Sequence, residues 1–124
     1  MLRIEEDLTV EVTRGDAITL DISATDGETN YTFQPGEVLR LKVFEKKNVE
    51  NVLLQKDTTV SAATETVSIA LSASDTKLGE PINKPTEFWY EVELNPDKRP
   101  QTLIGYDERG SKIFRLYPEG GDKA

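Results

Sequence analysis

Alternation with a period of two runs through almost the whole chain, and it decides the fold class before any other feature. Leu8, Val10 and Val12 alternate with Thr9, Glu11 and Thr13, and Ile18, Leu20 and Ile22 with Thr19, Asp21 and Ser23. Leu39, Leu41 and Val43 face one way and Arg40 and Lys42 the other; Val67, Ile69 and Leu71 repeat the pattern. Strands resume at Thr86 to Leu94, Gln101 to Tyr106 and Lys112 to Tyr117. A period of two is that of a strand with one buried face.

Turn residues punctuate these runs. Arg14-Gly15-Asp16 reads as the turn of a hairpin, with Gly15 tolerating positive φ. Gln34-Pro35-Gly36 sets Pro and Gly where a type II turn wants them. Val52 to Gln55 and Thr58 to Ala62 suggest a short second hairpin. One helical signal stands out: Ser72 as a cap, Asp75 three residues on, and Gly79 closing. About seven to nine short antiparallel strands, with one short helical connector, predict an all-β domain. A sandwich is favoured over a small barrel because the strands bury one face only. A single domain over residues 1–117 is expected, then a flexible Gly-rich tail over 118–124.

Charge narrows the partners. The formal net charge is -8, and residues 1–36 hold two basic residues against eight acidic ones. Such a surface repels a phosphate backbone and offers no polybasic membrane patch, so neither nucleic acid nor membrane is an expected partner. No apolar run approaches the ~18 residues that span a bilayer. The opening MLRIEEDL has neither a basic nor an apolar signal region, so no secretory leader is expected. With no Cys there is no disulfide framework, which fits folding in a reducing cytoplasm.

Catalysis finds little to work with. The chain has no His, the commonest general base, and zinc with neither Cys nor His is improbable. Glu91 and Glu93 share a strand face and could be imagined as an acid pair, but a solvated face is the simpler reading. Asp107-Glu108-Arg109-Gly110 lacks the spacing of a calcium loop and reads as a hairpin turn, as does Asp26-Gly27-Glu28. Arg14-Gly15-Asp16 spells the integrin tripeptide, yet between two strands it reads as a turn. No catalytic residue, cofactor or metal site is expected.

Attention therefore falls on the last third, where Phe88, Trp89, Tyr90, Tyr106, Phe114 and Tyr117 all lie. If Phe88, Tyr90, Val92 and Leu94 face the core, Trp89 points outward with Glu91 and Glu93. The same parity puts Phe114 and Leu116 inward and Ile113, Arg115 and Tyr117 outward. Trp89, Ile113, Arg115 and Tyr117 are thus the candidate interface, since Trp, Tyr and Arg are enriched at binding hot spots. The competing reading has the 81–85 loop fold over this face and make it a second small core. A carbohydrate-binding or other ligand-binding module stacking sugars on Trp89 is the alternative function.

The turn Thr13-Arg14-Gly15-Asp16 leading into ITLDI resembles the opening of the immunoglobulin-like N-terminal domain of phage upper baseplate proteins. Gly36-Glu37 and the LRLKVFEK run after it are similar to that family's third strand; the SASDT connector, FWYEVEL and the closing strand after QTLIGYD complete the likeness. The resemblance implies an immunoglobulin-like sandwich in a phage or prophage tail baseplate. It implies a virion component made in the bacterial cytoplasm that acts by contacts with other tail proteins or with copies of itself. In many relatives such domains carry larger receptor-binding regions; with the chain ending soon after the domain, assembly rather than adhesion is expected.

Overall fold

The computed structural model describes residues 2–4, 8–26, 28–46, 48, 50–106 and 110–119. Every regular element in them is a strand: β1 (Leu2–Ile4), β2 (Val10–Thr13), β3 (Ile18–Ile22), β4 (Thr25–Asp26), β5 (Thr29–Asn30) and β6 (Val38–Phe44). β7 (Val52–Thr59), β8 (Val67–Leu71), β9 (Thr86–Leu94), β10 (Gln101–Ile104) and β11 (Lys112–Tyr117) follow. The large sheet runs β1-β2-β11-β9-β6-β7, with β10 also on β9; β3 pairs with β8, and β4 with β5, as separate small sheets.

The alternation seen in the sequence becomes one core shared by the large sheet and the β3–β8 pair. Ile18, Leu20 and Ile22 from β3 and Val67, Ile69 and Leu71 from β8 join Leu39, Leu41, Val43, Phe88, Tyr90, Val92, Leu94, Phe114 and Leu116. This is a β-sandwich-like, all-β arrangement. Phe33, fully buried, ties the 23–37 connection to the 60–66 connection through paired backbone bonds with Thr64 (2.7 and 3.1 Å). No helix is long and apolar enough to cross a membrane among the described residues.

Several expectations need correction. The Ser72–Asp75 cap forms: the Ser72 N–H donates to the Asp75 carboxylate (2.8 Å) and the Asp75 N–H to the Ser72 hydroxyl (3.2 Å). Only i→i+3 backbone bonds follow, so the segment is a turn and no helical connector exists there. Thr76 is the reason. Its hydroxyl is fully buried, accepts the Gly15 N–H (3.0 Å) and lies 2.9 Å from the Asp16 carbonyl, which pins the connector to the 13–16 turn after one turn of chain.

The Arg14-Gly15-Asp16 turn does not close a hairpin. β2 pairs with β1 and β11, while β3 pairs with β8, so the turn carries the chain from one sheet to the other. Arg14 is buried and hydrogen-bonds the Gly79 carbonyl (3.3 Å), so the tripeptide is not displayed. The strands are not all antiparallel, because β11 runs parallel to β2. The second hairpin is one strand, β7, which pairs with β6 along its length. Nine strands of three or more residues are present among the described residues, beside the two-residue β4 and β5.

Other turns match the expectation. Gly36 has φ 92° and Glu37 N–H donates to the Gln34 carbonyl (3.1 Å), as a type II turn requires. Asp26 sits opposite Thr29 where β4 pairs with β5, and Gly27 of the expected turn lies outside the described residues. β10 and β11 do not pair with each other: they lie in line on the same edge of β9, against residues 92–94 and 86–90. Residues 107–109 of the expected hairpin turn at 107–110, and 120–124 of the expected tail, lie outside the described residues. Glu119, within that tail, sits 3.5 Å from the Arg14 guanidinium.

Candidate functional site

Strand parity sends Trp89 to the outer face of the large sheet. On β9, Phe88, Tyr90, Val92 and Leu94 are buried while Trp89, Glu91 and Glu93 are half-buried. On β11, Phe114 and Leu116 are buried and Ile113, Arg115 and Tyr117 half-buried. Trp89 belongs neither to the core nor to the partly buried side chains packed on it; Ile82 of the 81–85 loop does pack on that core.

Register then assembles what sequence alone leaves scattered. Phe44 stands opposite Trp89 across β6 and β9, and Trp89 opposite Ile113 across β9 and β11. Val52, 41% exposed, stands opposite Phe44 on β7. Directly opposed antiparallel residues share a face, with Cβ atoms about 4.5–5.5 Å apart. Val52, Phe44, Trp89 and Ile113 therefore form one apolar row across four strands. Phe44 and Val52 escaped the sequence reading because only the order of strands in the sheet brings them beside Trp89.

Charged ladders border this row on both sides. On one side Arg115 donates to Glu87 (2.8 Å) and to Glu11 (3.0 Å), and Lys46 pairs with Glu87 (3.1 Å). Tyr117 donates its hydroxyl to the same Glu11 oxygen. Arg115, through Glu87 and then Glu11, is held charged well above its ordinary range, and Arg115 and then Lys46 hold the Glu87 carboxyl low. On the other side Lys42 pairs with Glu93 (3.3 Å), and Arg40 bridges Asp57 (2.8 Å) and Asp97 (3.1 Å). Of the four candidate interface residues, Trp89 and Ile113 lie in the apolar row, while Arg115 and Tyr117 lie in the adjoining ladder with their polar groups already engaged.

Glu91 is the exception among these charges. Lys42 is its cross-strand neighbour but bonds Glu93 instead. Burial, and then the charge of Glu93, push the Glu91 carboxyl up. The imagined Glu91–Glu93 acid pair is thus a half-buried carboxyl beside a salt-bridged one, with no His, Cys or third acid to complete a metal cluster among the described residues.

Clefts open elsewhere, at the end of the sandwich where the 23–37 and 95–100 connections meet. One of about 370 Å³ is bordered by Thr25, Tyr31, Asn95, Arg99 and Gln101, and one of about 450 Å³ by Pro35, Pro96, Lys98 and Arg99. Trp89 borders neither. Comparison with protein-family models, characterised proteins and solved structures finds no match to this chain.

Proposed function

We propose that this chain is a non-enzymatic structural module that assembles through the outer face of its large sheet. The observation that carries this reading is the row Val52–Phe44–Trp89–Ile113, apolar at its centre and bordered by charges that, Glu91 apart, are paired. Contact surfaces are built this way, with an apolar centre and a polar rim. A stable interface buries about 800 Å² per partner, so the contact would extend beyond this row onto the charged side chains that border it.

The setting we propose is a phage or prophage tail baseplate, in the virion, with other tail proteins or further copies of this chain as partners. The sequence likeness to the upper baseplate domain supports it. The strand order, β11-β9-β6-β7 in one sheet and β3-β8 in the other, supports an immunoglobulin-like form of the sandwich, with these strands in the places of G-F-C-C′ and B-E, and bears on the fold alone. A sugar platform on Trp89 fits less well, because its cross-strand neighbours are the apolar Phe44 and Ile113 and it borders neither of the two clefts.

Trp89 is the sole tryptophan, so its fluorescence reports on this face alone. Across a concentration series, association through the face shifts the emission to the blue and lowers quenching by acrylamide. Emission and quenching that stay constant while the solution mass rises would place the contact elsewhere.

A further inference from the structure

The two clefts at the loop end meet at Glu37, Asn95 and Arg99, which line both, and the trough on the Thr25 side of them also takes in Leu94, Gln101 and Leu103. Its walls are fixed. Asn95 adopts φ 51°, a left-handed conformation that Asn tolerates better than most residues. Its N–H donates to the Val38 carbonyl (2.7 Å), and its side-chain oxygen accepts the Val38 N–H (3.1 Å). The Glu37 carboxylate accepts the Gln34 N–H (2.7 Å), the Tyr31 hydroxyl (2.9 Å) and the Asn95 amide (3.0 Å). A trough held by its own backbone and by side-chain hydrogen bonds, most of them part-buried, is preorganised, which reduces the ordering that a ligand must impose.

Its charges are asymmetric. The acids are engaged: Glu37 as above, and Asp97 by Arg40. The exposed side chains of Lys98 and Arg99 make no ion pair or hydrogen bond among the described residues, in a chain of net charge -8. Around them stand further donors, the Gln101 amide and the Thr25 hydroxyl, and an apolar floor of Leu94 and Leu103. We propose that this trough binds a small carboxylate ligand, its carboxylate on Arg99 and its body over Leu94 and Leu103. A planar guanidinium matches a carboxylate bidentately. A phosphate dianion is disfavoured by the nearby Glu37 and Asp97 charges. This site shares no residue with the Val52–Phe44–Trp89–Ile113 row, and neither proposal depends on the other.

The test is an amide-shift titration of the full ¹⁵N-labelled chain at constant ionic strength, using glucuronate, butyrate, glucose and inorganic phosphate as separate probes. The proposal expects saturable shifts at Thr25, Asn95, Arg99 and Gln101 with a carboxylate probe, weakened at least about tenfold by Arg99→Gln. Saturation by glucuronate alone identifies an acidic sugar as the source; saturation by both acids identifies the carboxylate itself. Core amides such as Leu41 and Phe114 report that the variant is folded. Absence of saturable shifts with either acid, equal shifts with glucose or phosphate, or an unchanged affinity in a folded Arg99→Gln chain would overturn it.

Discussion

Arg115 and Glu11 stand opposite each other where β11 runs parallel to β2, with Nη1 3.0 Å from Oε2. Glu11 is 2% exposed, so its charge depends on what the protein places around it. Tyr117 donates to the same oxygen. Removing the cation takes one charged partner from a buried carboxylate, and breaking a buried pair costs about 3 kcal/mol or more. Arg115→Ala therefore destabilises the fold by roughly that amount in urea unfolding, whereas Arg115→Lys recovers part of it. A near-neutral Arg115→Ala would mean that the pair contributes little to holding the parallel strands.

Phe114 is fully buried and packs edge-on against Tyr90, with ring centroids 6.3 Å apart. Phe114→Ala is expected to cost about 3–5 kcal/mol. A loss below about 1 kcal/mol would contradict the inward parity of β11.

The Thr76 hydroxyl joins two turns that are 61 residues apart in the chain through its bond to the Gly15 N–H. Thr76→Val keeps the shape but leaves a turn N–H without its acceptor, at a cost of about 1–3 kcal/mol. Amide exchange at Gly15 should accelerate in that variant. Unchanged protection there would show that another group takes over the bond.

Two glutamates should shift stability with pH in opposite senses. Burial by itself would raise the Glu37 carboxyl, but bonds from Gln34, Asn95 and Tyr31 outweigh it and hold it below the ordinary value of 4.5. Its contribution is present at neutral pH and is lost as pH falls through the lowered value. Glu91 is raised by burial and then by Glu93, so its ionised form is disfavoured in the folded chain. The stability linked to Glu91 is present at acid pH and lost as pH rises through the raised value. Thermal melts should then show Glu37→Gln less stable than the parent at pH 7 and Glu91→Gln more stable, both differences shrinking in acid. The reverse ordering would refute these assignments.

How much of this was legible in the sequence depends on the kind of contact involved. Inward and outward parity on β3, β6, β8, β9 and β11 follows from alternation alone, because one strand carries that information by itself. Pairing partners do not. Thr13 to Ile18 looked like a hairpin since turn chemistry is local, yet β2 and β3 belong to different sheets, a choice made by contacts with β11 and β8. The connector at Ser72 carried a true capping signal, but a buried tertiary bond at Thr76 outweighed helix propagation. Trp89 was visible as an outward residue; its neighbours Phe44 and Val52, 45 and 37 positions earlier in the chain, became visible only through register.

Light scattering on the parent chain and on Trp89→Ala, over the same concentration series, tests the assembly reading most directly. The prediction is a parent mass that rises to a closed oligomer, and a Trp89→Ala chain that remains folded and of lower mass at each concentration. A parent that stays monomeric throughout, or an oligomer whose mass Trp89→Ala leaves unchanged, would contradict it.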